Sequence, residues 1–246
     1  MYPIYCINLE HREDRKKHSL DQFKKIGISS DNVIYPHFVK DPRGGSYGCY
    51  NSHIKVWNDF VTNHPDHNFC LVFEDDFVAN ENSKEIIKNA IDFIDTNYEK
   101  VDILFLHNFN ISVENEINDD NFVNGYAILS HAYILTRHYV QSIIVKNNLL
   151  PQYKTPFDLA ISCNKKDVLY SEKIFYSKQT CFKQLVDESD NYLNIFDKFL
   201  RKDINEIAYN YILFFKFLKN INVSDDDIKK QMCGVDYFLQ KYNKLF

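Results

Sequence analysis

Phe69-Cys70-Leu71-Val72-Phe73-Glu74-Asp75-Asp76 is the stretch on which the fold turns. A continuous apolar run of strand length predicts a strand buried on both faces, and the three acidic residues that follow it at once fall at its carboxyl end. Crowded carboxylates repel one another, so the cluster needs a cation, a basic side chain or protonation to relieve it. A hard divalent cation is the simplest relief, because oxygen ligands select Mg²⁺ or Mn²⁺ and open α/β sheets bind ligands beyond the carboxyl ends of their strands. The plainer alternative is that these carboxylates cap the next helix or face water. Two other acidic runs read as structural. Asp225-Asp226-Asp227 follows Ser224 and precedes Ile228-Lys229-Lys230, the pattern of a capped first helical turn, and Asp119-Asp120 has no strand before it.

Upstream of this strand, Pro3 to Leu9 reads as a first strand, and a helix follows from about Asp14 to Ile26 with Leu20, Phe23 and Ile26 on one face and Gly27 to stop it. Val33 to Val39 suggests a second strand, pushed toward an edge by Pro36. Lys40 to Gly48 reads as a glycine-rich loop opening into a helix that carries Tyr50, Ile54, Trp57 and Val61 at helical spacing. Downstream, a Ser83-capped helix with Ile86, Ile87, Ala90, Ile91 and Ile94 precedes a strand at Val101 to Leu106. Asn108 to Asn124 reads as a long acidic loop, either a lid or an insertion. Ala132 to Thr136 is a further strand, followed by a helix from Arg137 to about Asn147. The alternation predicts an α/β fold with a largely parallel sheet covered by helices in a domain spanning 1–190, and 191–246 reads as a helical extension packed on it.

The chain has 246 residues and is 45% hydrophobic, enough for one large core, and its formal net charge of −5 gives no general attraction for nucleic acid or anionic lipid. Any phosphate site must therefore be a local arrangement. No secretory leader is legible in Met1 to Asn8, and the greasiest run, Tyr209 to Leu218, is far shorter than the about 20 apolar residues of a spanning helix. These features predict a cytoplasmic protein without a transmembrane segment, one that a membrane-bound acceptor would recruit peripherally. Cys6, Cys49, Cys70, Cys163, Cys181 and Cys233 show neither zinc-ligand nor redox spacing and read as reduced packing residues.

Five segments together resemble glycosyltransferase family 25, which includes bacterial lipooligosaccharide galactosyltransferases and the galactosyltransferase domains that act on collagen hydroxylysine. They are Ile7 to Arg15, Gly48-Cys49-Tyr50-Asn51-Ser52-His53, Leu71 to Asp76, Ser130-His131-Ala132-Tyr133-Ile134-Leu135, and Pro156-Phe157-Asp158. The resemblance implies a GT-A type fold with a Rossmann-like, mixed, mostly parallel sheet. It further implies a UDP-sugar donor with Mn²⁺ or a related ion, inversion at the anomeric carbon, and a hydroxyl acceptor on a glycan or protein.

By that resemblance Asp76 is the expected metal ligand, with Asp75 as a second ligand or donor partner and Glu74 as a donor-sugar or supporting contact. An inverting displacement needs a base across the sugar from the metal, and Asp158 is the candidate, with Glu188 and Asp190 in reserve. Asp158 reads equally as the cap of its own helix. Asn8, Arg12 and Arg15, at the end of the first strand, are placed to meet the nucleotide; for the arginines the alternative is a solvated helix face. Ser52, His53 and His131 are candidate donor contacts, each histidine also readable as a buried structural group. Two rival activities stay open on sequence: a metal-dependent phosphohydrolase, and a silent sugar-nucleotide or glycan-binding module. The oligomeric state is not legible.

Overall fold

The computed structural model describes residues 2–106, 110–112, 119, 121–127, 130–147, 157–162, 167–178 and 182–184. Glu188, Asp190, Cys163, Cys181, Cys233 and the proposed extension 191–246 lie outside the described residues.

Its centre is an eight-stranded sheet in the order β2-β1-β3-β8-β5-β9-β7-β6. The strands are β1 (Ile4–Ile7), β2 (Val33–Ile34), β3 (Phe69–Glu74), β5 (Ile103–Phe105), β6 (Asn110–Ser112), β7 (Phe122–Ala127), β8 (Ala132–Thr136) and β9 (Ile174–Ser177). A second, two-stranded antiparallel sheet joins β4 (Phe77–Ala79) to β10 (Phe182–Gln184). The helices are α1 (Glu13–Lys25), α2 (Gly45–Asn63), α3 (Ser83–Asn97), α4 (Arg137–Asn147) and α5 (Phe157–Ser162).

The sheet is mixed. β1 pairs in parallel with β2 and β3, and β5 with β9, whereas β8 runs antiparallel to both β3 and β5. Two more antiparallel pairings, β7 with β9 and β6 with β7, extend the far edge. Parallel pairing is therefore limited to the two pairs at β1 and the pair of β5 with β9, and the largely parallel expectation gives way to a mixed sheet.

Alternation along the strands explains why the inner ones read as unbroken apolar runs. Tyr5, Cys70, Val72, Tyr133 and Leu135 enter one core with Trp57 of α2, Val140 of α4 and Phe157 of α5. Ile4, Cys6, Leu71, Phe73 and Ile134 enter a second core with Phe23 of α1 and Ile86 and Ile94 of α3. With helices on both faces, neither side of β3 meets water. Cys6, Cys49 and Cys70 are free thiols.

Several boundaries shift for local reasons. α1 ends as expected: Gly27 takes φ 79°, its N–H donates to the Lys24 carbonyl, and the Ile28 N–H donates to Phe23, which together close the helix end. The second strand shrinks to two residues, with Phe38 recovering one parallel bridge to Leu9 beyond Pro36. α2 begins at Gly45, so the glycine-rich segment supplies the helix's first turn as well as the loop. Gly44 before it adopts φ 122°, open only to glycine. Ser83 is not a cap but the first residue of α3, and its hydroxyl accepts the Asn80 N–H to close the preceding turn. The stretch Asn108 to Asn124 is not all loop either, since β6 lies within it and β7 begins in it.

Phe73 is fully buried, with its ring 5.1 Å from Phe23 and 4.8 Å from Phe77. Phe73→Ala should cost about 3–5 kcal/mol of unfolding free energy in urea titrations. Val39→Ser, at a side chain left 63% exposed, should stay within about 0.5 kcal/mol.

Candidate active site

The carboxyl end of β3 lies between the end of β1 and the beginning of β8, and the backbone locks all three together. The Asp75 N–H donates to the Ile7 carbonyl at 3.0 Å, and the Glu74 N–H donates to the His131 carbonyl at 2.9 Å. Asn8 thereby sits beside Asp75, and Ser130 and His131 beside Glu74.

Successive strand residues face opposite ways. Glu74 follows Val72 toward α2 and α5. Its Oε1 accepts from His53 Nε2 at 3.2 Å and from the Ser130 hydroxyl. His53 is fully buried, and its Nδ1 lies 2.8 Å from the Tyr133 hydroxyl, which also accepts the Trp57 indole N–H at 2.9 Å. The His53 ring stacks on Phe157, centroid to centroid at 4.0 Å and 10° from parallel. Burial works against the Glu74 charge, but the hydrogen bonds from His53 and Ser130 outweigh it and hold its carboxyl below the usual value.

Asp75 follows Phe73 toward α1. Its Oδ2 accepts from Asn8 Nδ2 at 2.7 Å, and the same amide reaches the Arg12 carbonyl at 3.1 Å. Burial dominates and raises the Asp75 carboxyl; Asn8, Arg15 and Arg12 oppose the rise, and Glu74 adds to it. Arg15 is 4% exposed, so its alternative reading as a solvated helix face is overturned: its charge belongs to the Asp75 environment. Arg12 is spent largely on Asp14, holding it through Nε at 2.9 Å and Nη2 at 2.8 Å.

Asp76 is buried at the turn into β4. Asp158 lies in the first turn of α5, directly after the Phe157 that packs on His53. Burial, with the charges of Glu74, Asp158 and Asp76, pushes the Cys49 thiol well above the usual range. The structure therefore puts Glu74 beside Cys49, His53 and Ser130, and Asp75 beside Asn8 with the charge of Arg15 near it, on opposite sides of the strand end. Ser52 is buried on α2, and among the described residues no hydrogen bond joins it to this cluster.

Cys49 and Tyr133 belong to the site and were absent from the residues proposed on sequence. Cys49 and His53 are four apart on a helix, hence on one face, a spacing visible in the sequence. Cys49, His53 and Glu74 each offer a ligand atom, all within 4.8 Å of one another. That sulfur, nitrogen and oxygen set suits zinc, unlike the oxygen set of Asp75 and Asp76, which suits the expected Mg²⁺ or Mn²⁺.

Residues 43–161, a little under half of the chain, match Glycosyltransferase family 25 (LPS biosynthesis protein). A Haemophilus influenzae protein described as "Putative glycosyltransferase" is 30% identical, over 37% of this chain and 37% of its own length. The chain thus matches well under half of that relative. Among solved structures, a glycosyltransferase involved in glycosylation of the major capsid of PBCV-1 aligns with a TM-score of 0.48 at 10% identity, over 79% of this chain and 97% of that one. S. aureus TarS 1-349 in complex with UDP-GlcNAc aligns with a TM-score of 0.46 at 15% identity, over 94% and 78%.

A carboxyl whose folded pKa is raised binds its proton more tightly in the folded chain. Asp75 therefore favours folding at acid pH, and that contribution is lost as pH rises through the ordinary carboxylate range to the raised value. In melts without divalent cations, Asp75→Asn should raise Tm by a few degrees at pH 7. The gain should vanish toward about pH 3, where wild-type Asp75 carries its proton.

Proposed function

We propose, on the premise that this chain carries a glycosyltransferase family 25 domain at residues 43–161, that it is a metal-dependent, inverting GT-A type glycosyltransferase. It moves a hexose, galactose or glucose, from a UDP-sugar to a hydroxyl on a glycan or on protein hydroxylysine. The observation that carries this reading is the acidic carboxyl end of β3, where Glu74 is held by His53 and Ser130 and Asp75 by Asn8.

Sugar transfer replaces the bond from the anomeric carbon to the diphosphate by a bond to the acceptor oxygen. The acceptor proton needs a base on the far face of the sugar, and the departing diphosphate needs positive charge. Asp158 takes the proton. Its carboxylate is carried by a helix whose first residue, Phe157, stacks on His53, so its position is set by packing.

Asp76 and Asp75 would hold the divalent cation, which when bound neutralises charge on the leaving diphosphate. The donor set fits: two carboxylates on successive residues where β3 gives way to β4, with Asn8 occupying only Oδ2 of Asp75. Glu74 faces away from Asp75, toward α2 and α5, 19% exposed, and accepts a hydroxyl of the donor sugar. Asn8, Arg12 and Arg15 support the nucleotide side by balancing Asp75, while His53 and His131 serve Glu74. Among the described residues no helix is long and apolar enough to cross a membrane.

Release of UDP from a panel of UDP-sugars, with and without Mn²⁺, tests the proposal. One or two donors should turn over, in the presence of metal only. Asp76→Ala should abolish turnover, and Asp158→Asn should lower kcat by about 10²–10⁴-fold with donor binding retained. Inorganic phosphate released from simple esters would instead identify a phosphohydrolase. Donor binding without turnover, unaltered by Asp158→Asn, would identify a binding module.

A further inference from the structure

Trp57, Tyr133, His53, Glu74 and Ser130 form one chain of contacts, and counting its hydrogens determines its direction. The indole N–H of Trp57 can only donate, so the Tyr133 oxygen accepts it at 2.9 Å. Burial keeps Tyr133 a neutral phenol with one proton to give. Among the described residues, the one acceptor within reach of that proton is His53 Nδ1, at 2.8 Å. An Nδ1 that accepts leaves the imidazole proton on Nε2, which faces Glu74 Oε1 at 3.2 Å and donates to it.

The opposite tautomer fails twice. It would strand the buried Tyr133 O–H without an acceptor, and it would turn the Nε2 lone pair toward a carboxylate oxygen. A doubly protonated ring would strand the same hydroxyl. Ligation of a soft cation by Nε2 together with Cys49 and Glu74 would require that tautomer as well, so the hydrogen count argues against zinc in this triad.

We propose that Tyr133 is a positioning residue: by giving its phenolic proton to His53 it fixes the Nε2–H tautomer, and that tautomer, with Ser130, saturates Glu74 Oε1 and leaves Oε2 presented to the bound sugar. Both hydrogen bonds to Glu74 end on Oε1, and no described residue bonds Oε2. The carboxylate keeps 19% of its side-chain surface. Two donors on one oxygen stop the carboxylate rotating, so the acceptor lone pairs of Oε2 point in one direction and select a sugar with a hydroxyl there. The phenol acts two contacts away from the ligand. Phe157, stacked on the ring, limits its tilt.

The inference rests on the sugar-transfer reading for its ligand but not for its tautomer, so the two are tested separately. In protein labelled with ¹⁵N at histidine, the resonances lost in His53→Gln identify the ring. Its Nδ1 should be pyridine-like and its Nε2 pyrrole-like. Tyr133→Phe, which keeps the ring but takes the acceptor from the Trp57 N–H, should abolish that pattern and lower Tm by several degrees with the fold retained.

Kinetically, Tyr133→Phe should raise KM for the donor about tenfold with kcat within about threefold, and should leave inhibition by UDP alone unchanged, since Glu74 faces the sugar. His53→Gln supplies an amide N–H at the Nε2 position whatever Tyr133 does, so adding Tyr133→Phe to it should change KM less than twofold. A pyridine-like Nε2 in the wild type, or a wild-type ring pattern in Tyr133→Phe, overturns the proposal. A KM defect that persists in the His53→Gln background does so too, because Tyr133 would then act by packing. Absence of any sugar transfer with the tautomer pattern intact would refute the ligand and leave the positioning chain standing.

Discussion

A strand covered on both faces can end in charged groups only if each charge finds its own compensation within reach, because water arrives from one direction alone. β3 ends in three such groups, and the pleat divides them. Glu74 is turned to the α2 and α5 side, where neutral or weakly basic donors wait in His53 and Ser130. Asp75 is turned to the α1 side, where it meets Asn8 and the charges of Arg15 and Arg12. The outcomes differ in sign, since hydrogen bonding lowers the Glu74 carboxyl and burial raises that of Asp75. Two neighbouring carboxylates thus have different charge tendencies for a reason no more elaborate than strand alternation.

Packing around Phe157 makes the second contribution. Its ring lies flat on His53, 5.3 Å from Trp57 and at an edge to Tyr50. A six-residue helix such as α5 is too short to hold its own position, and this aromatic nest supplies the anchorage. The same ring that orients His53 toward Glu74 fixes the start of α5, and so the location of Asp158. The placements of Glu74 and Asp158 therefore share a single contact.

What could be read from the sequence was local, and what could not was direction and distance along the chain. β3 and its acidic end were legible because a run of apolar residues broken by three carboxylates has few other readings. The Tyr50, Ile54 and Trp57 stripe of α2 was legible by period, and all three are buried. Tyr133 was not recognised as a partner of His53 because the two are 80 positions apart and meet only through the antiparallel pairing of β8 with β3. An apolar run such as Ala132 to Thr136 carries no mark of which way it points. Arg15 reads as exposed by residue type, and only the position of Asp75 in space makes its burial tolerable. β6, at the edge of the sheet, was hidden by asparagine and acidic neighbours, since an edge strand needs no continuous apolar face. The roles assigned to 188, 190 and 191–246 concern residues outside the described structure and stand as sequence readings.

The electrostatics of this strand end also bear on why the proposed chemistry includes a cation. On the α2 side the charges of Glu74, Asp158 and Asp76 all act on the one uncharged thiol of Cys49, and the hydrogen bonds that steady Glu74 stabilise its charge without cancelling it. The two arginines lie on the α1 side, Arg12 closed on Asp14 and Arg15 buried near Asp75. A diphosphate approaching these carboxylates is repelled by them, and under the proposed reading the bound cation supplies the positive charge that receives it. Carboxylate oxygens at a strand end favour a small hard ion over an organic cation for that part. The repulsion that makes the cluster costly to fold is then the property that would draw the ion, and with it the nucleotide, to this end of the sheet.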